Sequence, residues 1–282
     1  MVLESLITPK GAEKRPMIVF LLGMLYSSIA LFLGAWIFKE EASLIVVFLT
    51  VLACVPLMYK IIKYEEKRDD TEDEEGVIMK GHFKALEAFM ALFMGCVVSF
   101  SLWFILLPPS TVSNLFATQM NTINIINNPI AGSVTQWQML TSIFSNNFKV
   151  LFFCVFFSFF YGAGAIFILT WNASVISAAI GSYIRSNLGA FALHTGFTKI
   201  AAYFQVFSVG LLRYMTHGAF EILAYFIGGL AGGLISVAVV NHDIKDEQFG
   251  KVLKDAGILI VLAIAVILFA GVVETYVTPA LF

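Results

Sequence analysis

The stretch from Leu211 to Asn241, LLRYMTHGAFEILAYFIGGLAGGLISVAVVN, constrains the fold more than any other part of the chain. It is long and apolar enough to cross a bilayer, and a spanning segment of that length must close its backbone hydrogen bonds as a helix. Yet it carries His217 and Glu221 at i,i+4, followed by the small-residue pairs Gly228/Gly232 and Gly229/Gly233. At ~100° per residue, Gly228 and Gly232 fall within roughly 20° of Glu221, and His217 lies about 40° from it. The ionisable pair and the glycine seam therefore share one face. A carboxylate at hydrocarbon depth needs a partner, and a glycine face admits a second backbone, so this helix belongs inside a bundle.

The rest of the chain agrees with that environment. Of 282 residues, 59% are hydrophobic and 13% charged, about half the charged share of a soluble domain. The apolar runs are continuous, which excludes the alternating pattern of a β-barrel. The expected fold class is an all-α, polytopic transmembrane helical bundle of six to seven spans. Cys54, Cys96 and Cys154 all lie within apolar runs and read as small apolar fillers rather than a disulfide framework or a zinc cluster.

Three regions follow. Residues 1–62 hold a polar arm and a first helical hairpin, with Pro16 opening a span to Phe38 and a second span from Ala42 to Ile62. Residues 63–84 form a charged loop around the run DDTEDEE. Residues 85–282 form the transmembrane core, including an uncharged loop over 108–148. Within that loop, Leu115–Ile126 and Trp137–Phe144 show helical apolar spacing, suited to lying in the membrane interface.

Lys and Arg concentrate in the N-terminal arm, at 60–84 and at 245–254. By the positive-inside rule the N-terminus is cytoplasmic and the C-terminus outside. With a fourth span at Val150–Trp171, this orientation demands one more outward crossing between Asn172 and Met215. Either residues around 188–213 form a complete extra span, or the region is broken or re-entrant; a short helix plus a broken segment is the favoured path.

The residues expected to form a buried polar site are His217, Glu221, Asn172, Arg213 and Asn147. Gly162, Gly164, Gly218, Gly228 and Gly232 are expected to serve helix packing, with Gly162 and Gly164 bringing the fourth span to the seam. The His217/Glu221 pair reads either as a proton relay or acid/base pair, or as a brace between helices. A metal needs at least three protein ligands, and only His194 is another imidazole at similar depth, so no metal and no cofactor are expected. P-loops, GxSxG elbows and dinucleotide fingerprints are absent, so no enzyme is expected, and no basic patch interleaved with aromatics points to nucleic acid.

Asn146-Asn147 entering a span, Gly162 and Gly164 in GAG, Asn172, and HGAFE (His217 to Glu221) opening a glycine-rich span together resemble the stage II sporulation protein M family. The likeness covers residues 85–277, with HGxFE followed by GGxxGG its most specific part. Thr216 stands where the family often has Pro, and the acidic run at 69–75 is no part of its pattern. The resemblance implies a non-enzymatic integral protein of the cell membrane, acting as a scaffold, assembly or membrane-remodelling component. Its implied partners are the lipid bilayer, other membrane or cell-envelope proteins and a second copy of itself. The alternative is a transporter, channel or lipid translocator built on the His217/Glu221 site.

Overall fold

A computed structural model describes residues 7–71, 75–127, 135–161, 164–188, 196–241 and 247–281, and every regular element among them is helical. Seven helices are long and apolar enough to cross a membrane. They are α2 (Pro16–Ile37), α3 (Ala42–Thr71), α4 (Glu75–Leu106), α7 (Gln136–Tyr161), α8 (Ala165–Leu188), α9 (Gly196–Asn241) and α10 (Glu247–Val272). A short α1 (Pro9–Lys14) precedes them, and α5 (Pro109–Leu115) and α6 (Ala117–Asn127) join α4 to α7. After α10 the chain makes a π-helical turn, Val273–Val277, and ends in α11 (Thr278–Leu281).

Local chemistry sets the boundaries. Thr8 caps α1, accepting from the Gly11 amide at 3.1 Å. Pro16 and Pro109 occupy the first positions of α2 and α5, where a missing N–H costs nothing. Between α2 and α3 the chain reverses through Lys39, which takes φ of 28°.

The bundle is held by backbones in close approach. A Cβ on Gly23 would overlap the Leu92 carbonyl oxygen, and one on Gly95 would overlap that of Phe20, so α2 and α4 meet without side chains between them. Hydroxyls add crosslinks: Ser28 Oγ lies 2.9 Å from Ser99 Oγ and accepts from Trp103 Nε1 at 3.0 Å. Gln119 of α6 is 1% exposed and donates to the Ser43 carbonyl and to Ser174 Oγ, both at 3.2 Å. This draws α6 in against α3 and α8. Phe116, between α5 and α6, fills the space beside Phe100 and Phe104.

Three expectations are corrected here. The missing crossing is a complete helix, α8, rather than a short helix with a broken segment, and residues 196–215 are the first turns of α9. The polar run NASVISAAIGSYIRSN hides this because its hydroxyls look unfit for a span. Ser177 instead donates to the Ala173 carbonyl of its own helix and lies 3.0 Å from that of Val97, while Gly181 admits Phe104. Secondly, Trp137–Phe144 is no separate interfacial helix but the opening of α7. Thirdly, residues 63–71 and 75–84 continue α3 and α4 rather than forming a loop.

Candidate functional site

Two polar clusters form within the bundle, on different sets of helices. The first assembles around Glu221, which α9 presents toward α7 and the C-terminal π turn. Asn147 of α7 is 3% exposed; its Nδ2 donates closely to Glu221 Oε1, and its Oδ1 accepts from Tyr225 Oη at 3.1 Å. Glu274, carried on the π turn, lies within side-chain hydrogen-bonding reach of Glu221. His217, one turn earlier, bonds Thr278 Oγ1 through Nδ1 at 3.2 Å. The site therefore ties α7, α9 and the π turn with α11.

The geometry of that tie comes from helix arithmetic. Glu221 is twenty residues from Asn241, about 30 Å along α9, and eight residues from Arg213, about 12 Å. Asn241 Nδ2 bonds Glu66 Oε1 at 3.0 Å, at the end of the bundle where the second cluster lies. Because the apolar part of α9 runs from Phe204 to Asn241, the Glu221 site sits near the middle of that span. The π turn is part of the construction: inserting a residue into an α-helix re-aims the side chains around it, and such segments recur at functional sites.

The sequence-derived site is partly reassembled. His217, Glu221 and Asn147 belong to one cluster, but His217 and Glu221 take separate hydrogen-bond partners rather than each other. Asn172 lies in the second turn of α8 instead of ending a span, and donates to the Ile168 carbonyl of its own helix at 2.9 Å. Arg213 is exposed, with its guanidinium 5.8 Å from the centre of the Tyr183 ring. Glu274 and Tyr225 were missed. Glu274 was legible as an acid within the last apolar run, the same signal that picked out Glu221. His194 lies outside the described residues, and no group of three or more metal-ligating side chains occurs among those described.

The glycines divide similarly. A Cβ at Gly228 would sit 2.5 Å from Leu151 Cδ1, and one at Gly232 would overlap the Val155 carbonyl oxygen, both on α7. Gly164 forms the turn from α7 into α8, where a Cβ would overlap the Phe157 carbonyl oxygen; it does not carry α7 to the seam. Gly162 lies outside the described residues. Gly218 has only Met215 Cε near it, at 3.8 Å.

The second cluster was not anticipated from the sequence. Arg68 Nη2 donates to Glu13 Oε2 at 2.9 Å, and its Nη1 donates to Glu65 Oε2 at 3.1 Å while lying 2.8 Å from Oε1 of the same carboxylate. His82 Nδ1 lies 3.1 Å from Glu65 Oε2, with both side chains at most 1% exposed. One arginine thereby joins α1, α3 and α4. Burial, reinforced by the neighbouring Glu65, lifts the Glu13 carboxyl above its ordinary range despite the pull of Arg68.

Seven apolar helices, joined by two clusters of polar groups, define an all-α multi-pass membrane protein. Within that class, the family model for stage II sporulation protein M matches residues 88–279, well over half of the chain. The protein belongs to this family. Comparison with curated proteins and with solved structures gives no match.

Proposed function

We propose that this protein is a non-enzymatic membrane scaffold, an assembly or remodelling component on which other membrane or cell-envelope proteins are organised. The observation that carries the reading is that the polar site is spent on the fold. Asn147 bonds both Glu221 and Tyr225 across helices, His217 bonds Thr278, and Glu274 faces Glu221 from the π turn. The two cavities against the central Phe226 are about 10 Å³ each, at the lower limit for a single water. Lys60, Lys63, Lys67, Lys80 and Lys84 gather at the Arg68 end, which supports a cytoplasmic placement of that end and of the N-terminus, with the C-terminus outside.

The alternative, a transporter, channel or lipid translocator, is favoured by one observation, the carboxyl pair at a π turn. Reconstitution into vesicles loaded with a pH-sensitive dye separates the two. The scaffold reading expects flux no greater than in empty vesicles, and discrete crosslinked complexes in native membranes that survive Glu221→Gln. Proton-driven flux abolished by Glu221→Gln would overturn it.

A further inference from the structure

A cavity of about 230 Å³ lies where the α2–α3 reversal meets α5. Lys39 lines it together with Ser110, Thr111 and Asn114, and Ala35 and Leu115 form an apolar side. Lining by a cation and three neutral polar side chains, without an acid, selects an anion. Glu40 and Glu41, next in sequence, are exposed and do not line it. Among the described residues, neither the Lys39 ammonium nor the side chains of Ser110, Thr111 and Asn114 enter a hydrogen bond or ion pair.

Depth narrows the anion further. Lys39 follows a 22-residue apolar helix. That length is about 33 Å and matches the hydrocarbon core, so the cavity opens at the level of the headgroups. Lys39 also holds a left-handed backbone, φ 28°, where Gly or Asn is ordinarily found and another residue costs roughly 1–2 kcal/mol. We propose that this cavity binds the phosphate group of a phospholipid: Lys39 contacts a phosphate oxygen, Ser110, Thr111 and Asn114 donate to the others, and the acyl chains run down the apolar side.

The test uses the full-length protein purified in mild detergent and exchanged into nanodiscs of phosphatidylglycerol, with bound lipid counted by native mass spectrometry. Lys39→Asn removes the charge while suiting the left-handed backbone, and Thr111→Val removes a donor without changing shape; thermal unfolding checks that both fold. Wild type should retain one phospholipid more than Lys39→Asn, with affinity at least about tenfold higher, the worth of one charge-assisted hydrogen bond. Lys39→Arg should keep it. A phosphate-free glycolipid should not be retained. Equal retention by wild type and a folded Lys39→Asn, or equal retention of the glycolipid, would overturn the proposal. So would stabilisation by inorganic phosphate with no lipid retained, which would make free phosphate the ligand.

Discussion

Gly228 and Gly232 occupy the same face of α9 and look alike in sequence, yet the structure assigns them different costs. At Gly228 an added methyl meets Leu151 Cδ1 at 2.5 Å, the far end of a side chain that can rotate away. At Gly232 it overlaps the Val155 carbonyl oxygen and lies 3.1 Å from both Ser158 Cβ and the Val155 carbonyl carbon, so the α7 backbone itself must move. Gly218, with only Met215 Cε at 3.8 Å, has room to spare. Replacing glycine by alanine within a helix gains roughly 0.5–1 kcal/mol from chain entropy, whereas overpacking costs typically about 1–3 kcal/mol. Gly218→Ala should therefore be more stable than wild type by up to about 1 kcal/mol, Gly228→Ala should lie near zero, and Gly232→Ala should lose about 1–2 kcal/mol. Equilibrium unfolding in mixed micelles, titrated with a denaturing detergent, reads all three on one scale. If Gly232→Ala proves as stable as wild type, or less damaging than Gly228→Ala, α7 and α9 do not meet at their backbones and the packing argument fails.

Asn147→Leu should cost about 1–3 kcal/mol, because it strips Glu221 of a donor and Tyr225 of an acceptor in a closed site; thermal unfolding no lower than wild type would show that these bonds carry no stability. Arg68→Met leaves the Glu13 and Glu65 carboxylates buried together and should cost about 3–5 kcal/mol, with Arg68→Met/Glu13→Gln recovering part of it in the same assay. The docking of α1 should depend on pH. Because burial raises the folded-state pKa of Glu13 above the ordinary 4.5, its contribution is fully present below that value and is lost as pH rises through the raised pKa. Hydrogen exchange over Pro9–Lys14, corrected for intrinsic rates, should be slower near pH 4.5 than at pH 7. Glu13→Gln should erase the difference, and protection that increases with pH would contradict the sign.

The fold class was legible because hydrocarbon filters composition so strongly. Runs of about twenty apolar residues admit one secondary structure, and Pro16, Lys39 and the Pro108-Pro109 pair punctuate them. Periodicity also located the Glu221 face of α9. What periodicity does not carry is the identity of the neighbour. Gly228 and Gly232 meet Leu151 and Val155, bulky residues of α7, while Gly164 of the Gly-Ala-Gly that looked complementary packs against Phe157 instead. Close approach needs glycine on one side only, so a second glycine motif is no guide to the partner. Gly164 does something else: it turns the chain from α7 into α8.

The same limit explains both buried clusters. Glu13, Glu65 and His82 read as solvated because their segments are charged, but a charged segment that continues a helix out of the bundle can still turn one face inward. Arg68 makes that face tenable by meeting two carboxylates at once, and Gly81 opens the space for its guanidinium. Glu274 presents the opposite case, an acid in an apolar run that the span's hydropathy simply absorbed. Its placement depends on a π turn that shifts register just before Thr278 and Pro279, and no repeat of 3.6 residues foretells such an insertion. Removing the inserted residue would rotate Glu274 by roughly 100° and carry it away from Glu221. Deleting Val273 should therefore lower stability about as much as Glu274→Ala does, and the two changes combined should cost little more than either alone. Fully additive losses would mean that the turn and the carboxyl pair are unrelated.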